Sequence, residues 1–197
     1  MNIENLVKET DAFNRAEIQK YNPDMEFLYD ISLDAGIILA KKYGADENIV
    51  KIGIALMDCK LPEASHLGTP KQHISMSSEA AKEILKKADL DADTKENIIK
   101  CVEQHHGAEK FFSIEAEVVA NSDCYRFIHP KGVLYYSSML GRRFHDFNKE
   151  LEQLNFKLNE KHNILSLDFA KEELEPYYEF FQKVINEAKK PRDNTPI

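Results

Sequence analysis

The stretch Ile52-Gly53-Ile54-Ala55-Leu56-Met57-Asp58 is the part of this sequence that is most informative about the fold. Uncharged residues in unbroken succession are typical of a helix that is buried in a core, and here the run ends at a carboxylate. A carboxylate at the edge of an apolar core loses its hydration and therefore needs a partner. We expect Asp58 to lie at a core edge beside such a partner.

Candidate partners for Asp58 follow it along the chain. His73, the adjacent pair His105-His106 and Asp123 each lie on a separate predicted helix. Imidazole nitrogens and carboxylate oxygens are the donors that hold hard or borderline divalent metals. Taken singly, Asp58 is better explained as a helix-end residue and each histidine as a surface residue. Only the spacing of the whole set favours a site.

The segment from Tyr29 to Phe127 resembles the HD superfamily of metal-dependent phosphohydrolases. The resemblance rests on residues 39–47, 54–58, 73–81, 105–106 and 113–123. Their order and spacing match the family over about half of the chain. The resemblance implies an all-α fold in which histidines and aspartates hold a divalent metal.

Two histidines that the family places early are missing from this chain. Met57-Asp58 stands where the family has its His-Asp pair, and no histidine precedes His66. A thioether is a soft, weak ligand for Mg, Mn or Fe, so Met57 does not replace the imidazole. The dipeptide His145-Asp146 lies after the family's final Asp, and we interpret it as coincidence.

The resemblance assigns the remaining site residues. The metal ligands are Asp58, His73, His105 and Asp123, and Asp123 is also the candidate base toward metal-bound water. Adjacent residues on a helix point about 100° apart, so His105 and His106 cannot both face one metal easily. The family's spacing implies that His105 is the ligand, with His106 as the alternative. The expected metal is Mn, Fe, Zn or Mg, and a site without any metal stays open.

Positively charged residues near this set are candidates for substrate binding. Lys71 and Arg126 could neutralise a phosphoryl group, as could Arg142. Lysine and arginine are mostly solvated, so a plain surface role competes for each of them. The expected function is hydrolysis of a small phosphorylated or nucleotide substrate at a partly lost metal site. The alternative is a catalytically inactive HD-fold protein that binds a ligand or regulates, and a purely structural interaction protein is a third reading.

Composition and charge limit the partners. The net charge of −8 argues against binding along extended nucleic acid, which needs a basic surface. Three scattered cysteines point to a reducing compartment, and no apolar stretch is long enough to cross a membrane. We therefore predict a cytoplasmic protein without membrane contact, and we leave a homodimer open.

Periodicity and capping residues predict an all-α bundle of seven to nine helices. We expect one HD-like domain over residues 1–190, with a motif core at 25–127, C-terminal helices at 133–190 and a flexible tail at 191–197.

Turn and cap residues set the expected helix ends. Asp46 and Ser113 are expected helix N-caps, and Gly44 is an expected stop. Ser77 or Ser78 is expected to cap the helix that follows His73. Residues 60–72 and 127–132 are expected loops, because they contain proline and glycine. A helix is expected to continue through about residue 158, and Asp168 is the expected cap of the last one.

Overall fold

Helices make up the regular structure in the computed structural model, which describes residues 1–190. In chain order they are α1 (Ile3–Tyr21), α2 (Met25–Tyr43), α3 (Glu47–Met57), α4 (Leu61–His66), a 3-10 helix (Pro70–Gln72), α5 (His73–Leu85), α6 (Ala92–Gln104), α7 (Ile114–Ile128), α8 (Pro130–Phe144), α9 (Phe147–His162) and α10 (Asp168–Ala188). All but the short α4 and the 3-10 helix have at least 11 residues, so the predicted all-α bundle is confirmed. The predicted tail at 191–197 lies outside the described residues. None of the helices described is both long and apolar enough to span a bilayer.

Capping side chains fix several helix ends where the sequence predicted them. The Asp46 carboxylate accepts hydrogen bonds from the first backbone N–H groups of α3, and the Ser113 hydroxyl accepts one at the start of α7. Gly44 ends α2 in the left-handed conformation, with φ of 69°. These caps fix where α3 and α7 begin, while Asp58 directly follows α3 and Asp123 lies within α7.

The irregular loop predicted for residues 60–72 is wrong. This segment holds α4 and the 3-10 helix, and Pro62 and Pro70 lie in their first turns. Proline lacks a backbone N–H, but the first turn of a helix has no intrahelical acceptor for that group. The prolines therefore start these short helices rather than preventing them.

The start predicted for α5 at Ser77 or Ser78 is also wrong, because the helix begins at His73. Both hydroxyls make tertiary contacts instead of capping. The backbone N–H of Lys60 donates to the Ser77 hydroxyl over 3.1 Å, and the Ser78 hydroxyl donates to Glu103 over 2.9 Å. The earlier start puts His73 at the N-terminal end of α5.

The segments that connect the C-terminal helices differ from the predicted ones. The loop expected at 127–132 reduces to His129, because α8 starts with proline directly after it. The helix expected to continue to residue 158 is broken at His145, where φ is 49°, and Asp146 then caps α9. The N-cap of α10 is Leu167, so Asp168 is the first helical residue and not the cap.

Helix α7 lies at the centre of the packing. Every residue from Val118 to Ile128 is buried, and the helix contacts α2, α3, α6, α8, α9 and α10. The run from Ile52 to Asp58 is buried as well, as the sequence predicted. A helix that is buried on all sides carries its charged residues into the core. Asp123 and Arg126 on α7 must therefore pair inside the protein.

Gly132 on α8 is packed against the backbone of α7. A Cβ atom at this position would lie 2.3 Å from the carbonyl oxygen of Arg126. Because that backbone is fixed by α7, we expect Gly132→Ala to lower the free energy of unfolding by about 1–3 kcal/mol. Denaturation in urea measures this loss.

The matched control for this prediction is Gly141→Ala on the same helix. A Cβ at Gly141 would meet only the Glu150 carboxylate, at 3.4 Å. Alanine favours helix over glycine by about 0.5–1 kcal/mol, so this variant should be neutral or slightly more stable. Equal stability of the two variants would contradict the close approach of α8 to α7.

Candidate functional site

The ends of three helices bring predicted site residues together. Asp58 follows α3, His73 opens α5 and His105 follows α6. The Oδ1 atom of Asp58 lies 3.3 Å from Nε2 of His73 and 3.4 Å from Nε2 of His105. All three residues are buried. Side chains that are distant in sequence thus converge on one carboxylate oxygen, as the spacing predicted.

Backbone carbonyls fix the orientation of both imidazole rings. Nδ1 of His73 lies 2.7 Å from the carbonyl oxygen of Pro70, and Nδ1 of His105 lies 2.7 Å from that of Val102. A carbonyl oxygen can only accept, so each Nδ1 carries a proton and donates it. In the neutral rings, both Nε2 lone pairs therefore face Asp58. This second hydrogen bond at Nδ1 is the usual support of a metal-binding histidine.

The facing atoms are polar and buried. Within residues 1–190, no hydrogen-bond partner is found for Asp58 Oδ1, His73 Nε2 or His105 Nε2. Buried polar atoms without partners are rare because each one costs free energy. A cation or a proton placed between Asp58 Oδ1 and the two Nε2 atoms would satisfy the lone pairs of these atoms.

His106 also reaches this cluster. Ring nitrogens of His73, His105 and His106 lie within 4.8 Å of one another. We expected adjacent histidines to point apart, but that rule holds inside a helix, and α6 ends at Gln104. Burial lowers the pKa of His106, while Glu160, 3.5 Å from its Nδ1, acts in the opposite direction.

Two buried cations lie on the other side of the carboxylates. Nη2 of Arg126 lies 2.5 Å from Oδ2 of Asp58 and also pairs with Asp123, one turn earlier on α7. Nζ of Lys161, on α9, lies 2.5 Å from Oδ2 of Asp123. Arg126 was a predicted substrate-binding residue, and the structure places its charge against these two carboxylates.

The cations decide the charge state of the carboxylates. Burial alone would raise the pKa of Asp58, but the Arg126 guanidinium holds it well below its usual value. Burial alone would also raise the pKa of Asp123, but Arg126 and Lys161 lower it below its usual value. Both carboxylates are therefore ionised in the folded protein, and two positive side chains balance them.

The resemblance puts the two missing histidines near Tyr29 and Asp30 and at Met57, and the side chains at these positions have other partners. The Tyr29 hydroxyl donates to Asp11 over 2.7 Å, and the Asp30 carboxylate pairs with Arg15 at 2.8 Å. Met57 is buried, and the void that it shares with Tyr29 and Asp58 measures about 10 Å³. Such a void holds about one water molecule. This side of Asp58 is closed.

A surface cleft of about 440 Å³ opens beside the cluster. It lies between the segment after α6 and the segment after α9. Its lining consists of His106, Gly107, Ala108, Phe111, Glu160, Asn163, Ile164, Leu165 and Ser166. His106 belongs both to the cleft and to the histidine cluster, so the cleft borders the cluster at this residue.

The remaining predicted site residue, Lys71, is exposed on the 3-10 helix, two residues before His73. Sequence reasoning missed Lys161 altogether. A signal for it was present, because Leu151, Leu154 and Leu158 form the apolar stripe of α9 and Lys161 continues it. A lysine in an apolar stripe indicates a buried charge that needs a partner.

Only the side of Asp58 that faces His73 and His105 offers donor atoms for a divalent metal. Asp58 Oδ1 and the two Nε2 atoms are buried and without partners, and two imidazoles with one carboxylate suit Mn, Fe or Zn. The oxygens of Asp123 and Oδ2 of Asp58 face Arg126 and Lys161 instead. In this arrangement Asp123, the fourth ligand that the resemblance implies, is paired with Arg126 and Lys161.

Solved structures share this architecture at low sequence identity. No protein-family model matches the chain, and no curated protein matches it. A predicted HD superfamily hydrolase from an uncultured Thermotogales bacterium superposes with a TM-score of 0.64 at 15% identity, over 91% of this chain and 89% of that one. Bacillus subtilis YpgQ gives a TM-score of 0.65 at 17% identity over 95% of both chains. YpgQ in complex with ADP gives 0.68 at 18% identity over 98% of both. The chain has the HD-domain fold.

Proposed function

We propose that this protein is a metal-dependent phosphohydrolase of HD type, with a reduced metal site formed by Asp58, His73 and His105. The observation that carries this proposal is the convergence of two buried Nε2 atoms on one carboxylate oxygen, all three without hydrogen-bond partners in the described chain. A divalent cation satisfies all three atoms at once. Bound there, it would supply a lowered pKa for water and a polarised phosphoryl oxygen.

The residues around the metal ligands divide the other tasks. The backbone carbonyls of Pro70 and Val102 hold the two rings in place before a ligand arrives. Lys71 is exposed close to His73 and is the better candidate for neutralising substrate charge, because the charge of Arg126 is already engaged. Asp123 is a weaker candidate for the general base, because its carboxylate is already paired with Arg126 and Lys161.

A small phosphorylated molecule or a nucleotide is the proposed substrate. The cleft beside His106 has a volume of about 440 Å³, which falls in the range of small-molecule sites, roughly 300–1,000 Å³. The YpgQ structure in complex with ADP supports a nucleotide as the ligand of this fold. The net charge of −8 does not oppose this, because a bound cation reverses the local field.

Metal-dependent hydrolysis tests the proposal. Purified protein is screened against nucleotides and small phosphate esters with Mn²⁺, Co²⁺, Zn²⁺ or Fe²⁺, and bound metal is counted. We expect about one ion per chain and hydrolysis that chelation removes and metal restores. Hydrolysis of equal rate in chelator would contradict the metal, and failure of every ion to bind would contradict the site.

The second candidate is a ligand-binding protein without catalysis. It is favoured by Arg126 and Lys161, which balance both carboxylates without a metal. A shift of the melting temperature by ADP or another nucleotide, without turnover in any metal, would select this function. Nucleotide turnover would reject it.

The setting proposed for either function is a single domain over residues 1–190 in the cytoplasm. One continuous hydrophobic core joins residues from α1 to α10, which supports a single domain. Cys59, Cys101 and Cys124 are all free and buried, which suits a reducing compartment. A homodimer remains a proposal that light scattering can test.

A further inference from the structure

The carboxylates of Asp58 and Asp123 and the cations of Arg126 and Lys161 form a buried cluster of four charges. The exposed fractions of the side chains are 10%, 0%, 5% and 1%, in that order. A charge that is buried without a partner is expensive, so each must be matched locally. The two negative and two positive groups balance each other in charge.

We infer that Arg126 and Lys161 are fixed counter-cations of this carboxylate pair, which take the position of a metal ion between Asp58 and Asp123. Asp123 is thereby kept out of the coordination shell of any ion that His73 and His105 bind. Only the exclusion of Asp123 from the coordination shell rests on the proposed function. The role of Arg126 and Lys161 as counter-cations concerns the protein with or without a metal.

The geometry of Arg126 supports this inference. One nitrogen, Nη2, contacts oxygens of both carboxylates and so lies between them. Asp58 divides its two oxygens, with Oδ2 toward the guanidinium and Oδ1 toward the histidines. An ion shared by both carboxylates would have to displace this nitrogen.

The guanidinium between the carboxylates does not give up its charge, because arginine is not deprotonated in proteins. The void next to Asp58 and Arg126 measures only about 10 Å³, so it offers no second place for an ion with its ligands. The positive charge between the carboxylates is therefore permanent.

Removing the guanidinium tests the inference directly. Binding of Mn²⁺ and Zn²⁺ is measured by calorimetry for the natural protein and for Arg126→Met, with circular dichroism as the check on folding. Arg126→Met exposes two ionised carboxylates to a cation, so we expect at least about tenfold tighter binding. Affinity equal to or weaker than that of the natural protein would overturn the inference.

A charge-balanced double variant tests the exclusion of Asp123. Asp123→Asn combined with Lys161→Met removes one negative and one positive group, so the net charge of the cluster is kept. If Asp123 is not a ligand, metal affinity stays within about threefold of the natural protein. A loss of about tenfold or more would show that Asp123 binds the ion.

Two further outcomes keep the tests decisive. If Arg126→Met does not fold, Lys161→Met removes the other cation and should likewise bind metal more tightly, and an unchanged affinity there would overturn the inference. If the natural protein binds no metal, the proposed function fails. A gain of metal binding in Arg126→Met would still support the counter-cations.

Discussion

Lys161→Met is expected to lower the free energy of unfolding by about 3–5 kcal/mol, because it leaves Asp123 without one of its two cations. The lysine is buried, and its Nζ lies 2.5 Å from Asp123. Methionine has a similar length and fills the same space, so loss of packing contributes little. Chemical denaturation followed by circular dichroism measures the change.

The matched control is Lys149→Met on the same helix. Lys149 is 67% exposed, and its pair with Asp146 spans 3.7 Å. Exposed pairs contribute roughly 0–1 kcal/mol, so this substitution should be nearly neutral. A second control, Asp123→Asn combined with Lys161→Met, should recover much of the lost stability because the uncompensated charge is removed. Equal losses in Lys161→Met and Lys149→Met would show that the buried ion pair is not the cause.

Much of the fold was predictable because its signals are local. The caps at Asp46 and Ser113 and the stop at Gly44 depend on a few neighbouring residues, and the structure has all three. One error arose where tertiary contacts take over. Ser77 has the chemistry of a cap, yet its hydroxyl accepts a hydrogen bond from Lys60 on another segment.

The same division between local signals and tertiary contacts applies to the site. Spacing and residue type singled out Asp58, His73 and His105, and each of the three lies at a helix end in the structure, although the start of α5 at His73 was not predicted. The role of Arg126 was not readable, because a charged residue near a predicted site suits a substrate or a carboxylate equally well. Only the packing of α7 against α3 selects the carboxylates.

The convergence of both adjacent histidines on the cluster was not predicted, for a geometric reason. Sequence periodicity assigns them directions only while the helix continues, and α6 ends one residue before His105. Their nitrogens are therefore free to converge, and the structure gives them unequal surroundings. His105 is fully buried with its Nδ1 held by a carbonyl, whereas His106 borders the open cleft and faces Glu160.

This inequality predicts a large difference between two alanine variants. We expect His105→Ala to weaken binding of Mn²⁺ or Zn²⁺ by more than about 100-fold, because it removes one of the two rings that face Asp58 Oδ1. His106→Ala should cost only about tenfold, since this residue supports the cluster from the side of the cleft. Hydrolysis of nucleotides should fall in the same order.

Equilibrium dialysis with metal analysis measures both affinities, and His162→Ala is the matched control. His162 stacks on Tyr178 and pairs with Glu175 at 2.8 Å, outside the cluster, so its loss should leave metal affinity unchanged. Circular dichroism excludes unfolding as a cause. A larger loss in His106→Ala than in His105→Ala would assign the ligand to His106 and move the metal toward the cleft. The buried ring of His105 would then serve only to hold Asp58 in place.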